Sequence, residues 1–266
     1  MTLPLELVLV RHGQSEGNLA KRFSEAGEHG AFDRVFNGRH TRSFRLTDKG
    51  RAQAIGAGAW IRSEFGRFDR YFVSEYVRAI ETAGLLGISD ATWGRNFYLS
   101  ERDWGELDRC SEEERARRFG DDLRMRDVEP FYWRPQNGES LAQMCLRLDR
   151  VLSTLHRECS DKRVILVCHG EVMWGFRVLL ERMSQQRFKE LHLSTDPMDR
   201  LHNCQIFHYA RRNPETGELA AHANWMRTIR PADDPVWISP WQTIDRKRYT
   251  NVELLKLAKE YPAVLQ

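Results

Sequence analysis

The stretch Leu5-Glu6-Leu7-Val8-Leu9-Val10-Arg11-His12-Gly13-Gln14-Ser15-Glu16-Gly17-Asn18 decides the fold class. Residues 5–10 form a short apolar run that reads as a buried strand, and the chain then turns polar in a single step. The same step recurs three times. The run 71–74 leads into Glu75-Tyr76-Val77-Arg78, 96–99 into Ser100-Glu101-Arg102, and 163–168 into His169-Gly170-Glu171. In open α/β sheets, ligands bind beyond the carboxyl ends of the strands. As parallel neighbours, these four strands bring two Arg, two His, one Glu and one Asn to one rim.

Helical patterns separate the strand runs. They are expected at 47–65, 77–86, 112–119 and 140–156, with Thr47 placed as an N-cap and Ser140 and Gln143 as a capping box. Further strands are expected at 204–209 and 222–229, then a Pro-rich tail and a last helix at 251–260. The alternation predicts an α/β fold: a three-layer sandwich with a mostly parallel central sheet flanked by helices and a small helical cap. One domain spans 1–266, with cap elements at about 19–45 and 105–138 and a C-terminal extension at about 231–266.

Composition narrows the class. The chain has 266 residues, enough to bury a sizeable core. It carries 41 basic and 38 acidic side chains, and a net charge of +3 leaves no nucleic-acid footprint. No apolar run approaches the ~20 residues of a membrane-spanning helix, and the first residues read as a strand and not as a signal peptide. Five Cys at irregular spacing, without a CxxC pair, fit reduced thiols in a cytoplasmic protein.

The rim inventory has a chemical meaning. Two guanidiniums and helix N-terminal amides make a pocket for a dianion, most obviously a phosphoryl group. A His there can attack phosphorus, and a second His can stabilise charge on the transferring oxygens. A single carboxylic acid can protonate the leaving oxygen and then take a proton from water. Arginine supplies the positive charge, so no metal is required. A metal-dependent hydrolase would want paired carboxylates or an HxH or HExxH spacing, and none occurs near these strands.

Arg11-His12-Gly13 with Ser15 and Asn18 resembles the RHG signature of the histidine phosphatase superfamily, which includes cofactor-dependent phosphoglycerate mutases. Ser74-x-x-x-Arg78-Ala79-x-x-Thr82-Ala83 is similar to its second block, Glu101-Arg102 with Trp104-Gly105 to its third, and His169-Gly170-Glu171 to its fourth. The blocks fall in the family's order, within about 5–110 and 138–180. The resemblance implies a phosphorylated nucleophile at His12, a phosphate pocket of His169, Arg11 and Arg78, a hydrogen bond from Asn18 and a proton donor at Glu101. Gln14, which stands where many members have Glu, together with Ser15 and Gly170, joins the phosphate-binding candidates. Asp103 and Glu106 sit close enough to Glu101 to substitute for it. Ser15 alone also reads as a local hydrogen-bonding residue, Glu139-Ser140 as a helix cap, and Trp104 and Trp133 as cap or core packing.

The implied activity is hydrolysis of a small phosphorylated substrate, with no cofactor, nucleic acid or membrane partner and with a homodimer open. The mutases have a longer insertion bearing adjacent basic residues that grip the glycerate carboxylate. Here 36 residues run from Arg102 to Asn137, and Arg124 and Arg126 match that feature imperfectly. A phosphatase is therefore expected, with a mutase-like phosphotransferase or an inactive phosphate-binding protein as alternatives. The segment 20–45, carrying Lys21, Arg22, Arg34, Arg39, His40, Arg42 and Arg45, is expected to be a long loop at the site mouth. It reads either as a lure for a polyanionic substrate or as a solvated surface.

Overall fold

The computed structural model describes residues 2–265. In chain order the elements are β1 (Glu6–Arg11), α1 (Glu16–Glu25), α2 (Arg34–Asn37), α3 (Asp48–Glu64), β2 (Arg70–Ser74), α4 (Val77–Leu85), β3 (Trp93–Asn96), α5 (Glu112–Val128) and α6 (Leu141–Glu158). They continue with β4 (Arg163–Cys168), α7 (Gly170–Glu181), α8 (Gln185–His192), β5 (Ile206–Ala210), β6 (Trp225–Arg230), β7 (Trp237–Ile238), β8 (Gln242–Thr243) and α9 (Asn251–Ala258).

The strands form one sheet in the order β3-β2-β4-β1-β5-β6-β7, with β8 also pairing β6. The half holding β3, β2, β4 and β1 is parallel. From β5 onward the pairings are antiparallel, so the sheet as a whole is mixed. Alternation along the strands sends residues to two cores. Val8, Val10, Ile165 and Val167 pack with Ala54, Ile61, Ala79 and Leu86 from α3 and α4 and the turn after α4. Leu7, Leu9, Val164 and Leu166 pack with Met144, Leu148, Val172 and Phe176 from α6 and α7. Helices thus cover both faces, the three-layer arrangement that near-continuous apolar strands require.

Several details depart from the sequence expectations. The third strand lies at Trp93–Asn96, while Phe97–Leu99 forms a 3-10 turn whose N-cap, Asn96, accepts from the Tyr98 amide at 2.9 Å. The helix expected at 112–119 continues to Val128, with a backbone kink at Phe119. The segment 20–45 is not simply a loop: α1 runs to Glu25, α2 is one helical turn, and Thr41–Ser43 is a 3-10 turn. The extension packs on the sheet edge through β7 and β8, and α9 is exposed along its length. All five Cys are free and buried. Among the described residues no helix is long and apolar enough to cross a membrane.

Candidate active site

The register of the central strands brings the two histidines together. Arg11 pairs with Cys168 across β1 and β4, so the residues that follow, His12 and His169, stand side by side. The His12 amide donates to the Cys168 carbonyl at 3.0 Å, and the two ring centroids are 5.1 Å apart. Strand β2 lies on the other side of β4 and delivers Ser74, whose hydroxyl is 2.7 Å from His169 Nε2. From the first turn of α4, Arg78 reaches back, and its Nε donates to His12 Nε2 at 3.0 Å.

The loop after β1 is held by close backbone contact. A Cβ on Gly50 would lie 2.0 Å from the Gln14 carbonyl oxygen, and one on Gly13 would lie 2.3 Å from the Gly50 carbonyl oxygen. Only two glycines allow α3 to start against this loop. Thr82 Oγ1 accepts from the Gly13 amide at 3.0 Å and anchors the loop to α4. Ser15 caps α1 in a reciprocal box with Asn18.

A cavity of about 260 Å³ opens above the strand ends. Arg11, His12, Ser15, Asn18, Arg78, Glu101, Gly170 and Glu171 line its floor and sides, so the structure gathers most of the sequence candidates. His169 is fully buried beside them. Gln14 is not among the lining residues: its side-chain carbonyl accepts from Thr47 Oγ1 at 2.9 Å, which ties it to the N-cap of α3. Of the two carboxylates weighed against Glu101, neither Asp103 nor Glu106 lines the cavity, whereas Asp108 does.

The electrostatics follow from burial. His12 Nδ1 is 2.7 Å from the Gly13 carbonyl, which can only accept, so Nδ1 carries the proton and Nε2 the lone pair. Burial, with Arg78 and Arg11 adding to it, pushes the His12 pKa well below the ordinary imidazole value. Burial does the same to His169, followed by the charge of Arg78. Both rings are therefore neutral near pH 7. Among the side chains of this site, two buried polar atoms have no hydrogen-bond partner, Arg11 Nε and His169 Nδ1. Such orphans cost roughly 1–3 kcal/mol each, and an anion bound among these groups would satisfy them.

Glu101 is the counterpart. Burial first, then the neighbouring Glu171 carboxylate, raises its pKa to about 7, against the opposing pull of Arg78 and Arg11. Its Oε1 accepts from the Arg102 amide at 3.0 Å. Arg102 is itself buried and ties the site to the cap. It donates to the carbonyls of Glu139 and Trp133 at 2.8 and 3.0 Å and pairs with Glu171 at 3.2 Å.

Several participants carry no sequence signal of their own. Asn203 Nδ2 is 3.1 Å from both the His12 carbonyl and Asn18 Oδ1. The Thr41 carbonyl accepts from Arg78 Nη1 at 2.9 Å, while its hydroxyl donates to Asp108 at 3.3 Å. The Tyr76 ring lies under the Arg78 guanidinium, 4.8 Å from its centroid. Asn203 and Thr41 lie outside the strand-end motifs and reach the site only through tertiary folding, while Tyr76 lies within the second motif at a position the motif leaves open.

Comparison with known proteins places this geometry. The chain is 30% identical over 201 residues to a 2,3-bisphosphoglycerate-dependent phosphoglycerate mutase of Methylorubrum populi, covering 71% of this chain and 85% of that protein. A protein of the same name from Xanthobacter autotrophicus is 29% identical over 204 residues, covering 71% and 87%. Among solved structures, the native mycobacterial glucosyl-3-phosphoglycerate phosphatase superposes with a TM-score of 0.60 at 18% identity, covering 90% of this chain and 96% of that one. A phosphoserine phosphatase from Entamoeba histolytica, in complex with 3-phosphoglyceric acid, gives 0.59 at 20% identity, covering 90% and 96%. These two likenesses establish the fold. The model of the histidine phosphatase superfamily (branch 1) matches residues 7–209, more than half of the chain. With strand-end motifs, fold and family match agreeing, the chain belongs to the histidine phosphatase superfamily, branch 1.

Proposed function

We propose that the chain is a phosphomonoester hydrolase that works through a phosphohistidine on His12, with Glu101 as proton donor. One observation carries this reading. A neutral His12, its lone pair fixed on Nε2, shares a pocket with Arg11, Arg78 and a carboxyl whose pKa is about 7.

In the first step the bound phosphoryl oxygens take over the Arg78 Nε–H that His12 Nε2 otherwise accepts, and the freed Nε2 lone pair attacks phosphorus. The N–P bond forms, the ester P–O bond breaks, and the Glu101 proton passes to the leaving oxygen. Arg11, Arg78 and His169 hold the three equatorial oxygens, on which the transition-state charge is spread. In the second step the Glu101 carboxylate takes a proton from water. The new O–P bond replaces N–P, releasing phosphate and a neutral His12, and Glu101 ends protonated as it began.

A mutase-like transfer is the second reading. The names of the sequence relatives favour it, as does the presence of Arg115 and Arg126 in the cavity lining. Against it, both guanidiniums are engaged. Arg115 binds Glu112 at 2.7 Å and the Leu107 carbonyl at 2.8 Å, and Arg126 binds Asp127 at 2.8 Å.

The test is inorganic phosphate release from a panel of sugar phosphates, nucleotides, phosphoglycerates and aryl phosphates. The wild type is expected to release phosphate and His12→Ala to release none. No release from any compound by the folded wild type would overturn hydrolysis, and interconversion of phosphoglycerates without net release would establish the mutase reading.

A further inference from the structure

The basic segment 20–45 invites the view of a collar that draws in polyanions, and the structure assigns its charges elsewhere. Arg39 is bound to Glu16 at 3.2 Å and to the Ser43 carbonyl at 2.9 Å, and Arg45 is paired with Glu81. His40 accepts from the Arg42 amide at 3.1 Å, and Arg34 and Arg42 are exposed. Of the segment's basic side chains only Lys21 lines the catalytic cavity, and it lies 3.7 Å from Glu25.

What the segment turns toward the cavity is aromatic. Phe32, Phe36 and Phe44 all line it, and Trp104, three residues past Glu101, lines it as well. Phe36 stacks on buried Phe44 with centroids 4.5 Å apart at 17°, and Phe32 stands edge-on to Phe36 at 5.3 Å. Phe44 belongs to the interior, but Phe32, Phe36 and Trp104 are only half-buried and keep apolar surface bare. The position of the acid fixes which part of a substrate meets them. Glu101 must touch the bridging oxygen opposite the attacking His12, so the leaving group lies in the part of the cavity shared by Glu101 and Trp104.

Charge on this side is balanced. Arg115 and Arg126 are engaged as described, and Asp108 adds a carboxyl, so a glycerate carboxylate would find Lys21 as its remaining cation. The volume, about 260 Å³, falls below the roughly 300–1,000 Å³ of sites for drug-sized ligands. It suits a phosphoryl group and one ring.

We propose that the leaving group of the physiological substrate carries an aromatic ring near the ester, held against Phe32, Phe36 and Trp104. The substrate class is then ring-bearing phosphomonoesters and not phosphoglycerates. This inference rests on the phosphatase reading for turnover, but the ring contact is also measurable by binding alone.

The experiment compares benzyl phosphate, cyclohexylmethyl phosphate, glycerol 3-phosphate and 3-phosphoglycerate, all esters of poorly departing alcohols, so that leaving-group basicity does not set the ranking. Wild-type kcat/KM is expected to be highest for benzyl phosphate. Phe36→Ala should lower it about tenfold, the loss expected from one ring–ring contact with its buried area, with a clearly smaller loss for glycerol 3-phosphate. Phe36→Leu, which keeps apolar bulk without the ring, should fall between. Calorimetric binding of benzylphosphonate, compared with inorganic phosphate, should show the same selective loss in Phe36→Ala without turnover. Preference for 3-phosphoglycerate, equal rates with the cyclohexyl compound, or equal losses for ringed and ringless ligands would each overturn the proposal. Selective benzylphosphonate binding without phosphate release would instead overturn hydrolysis and leave the ring contact standing.

Discussion

At His12, a single backbone contact decides the chemistry. The Gly13 carbonyl accepts from Nδ1–H, and burial between two guanidiniums keeps the ring neutral, so Nε2 holds the lone pair that the proposed attack requires. Glu101 is tuned the opposite way, because burial and Glu171 hold its proton up to about pH 7. A carboxyl raised in the folded state above its ordinary 4.5 favours folding on the acid side, and that contribution is lost as pH rises through about 7. The same sign applies to catalysis: kcat/KM for esters of poor leaving groups should fall as pH rises through about 7. In Glu101→Gln that fall should vanish and the rate drop by about 10²–10⁴-fold, whereas p-nitrophenyl phosphate, which needs little protonation, should lose far less. Equal losses of kcat/KM, which reports the first transfer alone, for both esters would remove Glu101 from the acid role.

The elements that build the site were legible where pattern and site coincide. The short apolar runs expected at 163–168, 71–74 and 5–10, each followed at once by polar residues, are the strands β4, β2 and β1 to within one residue at either end. Less was legible where an element lacks a period. Helix α7 is buried around most of its circumference, from Val172 to Phe176, so no polar face marks it as a helix. Helix α1 is capped by Ser15 with Asn18, where the usual box has Glu or Gln, and its first turn is occupied by site residues. Strand β3 contains Gly94 and Arg95, which weakens its apolar pattern, and the more apolar 97–99 drew the expectation three residues too far. The approach of α3 to the loop after β1 makes a prediction of its own. Gly50→Ala puts a Cβ into the Gln14 carbonyl, where neither partner is a flexible side chain. It should destabilise the protein by about 1–3 kcal/mol in denaturant unfolding and slow phosphate release by shifting His12. Unchanged stability and rate would show that the loop does not depend on that contact.

At the scale of the molecule, the parallel half of the sheet brings together residues from distant parts of the chain, and the connections supply the cap. The gathering of His12, Arg11, Arg78, His169 and Glu101 at one cavity was legible because each member sits at or just beyond a strand end, or within one helical turn of it. The substrate side was not, since no local pattern foretells that Thr41 will bridge Arg78 and Asp108, or that Asn203 will reach the His12 carbonyl. Gln14 shows the converse: a residue inside the motif whose side chain serves the N-cap of α3. For the basic segment 20–45 the sequence left a polyanion lure and a solvated surface both open, because charge is visible in a sequence while the face it turns to a cavity is set by packing. The central claim, covalent transfer of a phosphoryl group to His12, is tested most directly by mixing the enzyme with a turning-over phosphomonoester, quenching in base to preserve phosphoramidates, and mapping the modified peptide by mass spectrometry. One phosphoryl group on His12, absent in His12→Ala, is the predicted result; an unmodified chain during steady turnover, or a phosphoryl group on another residue, would contradict the account.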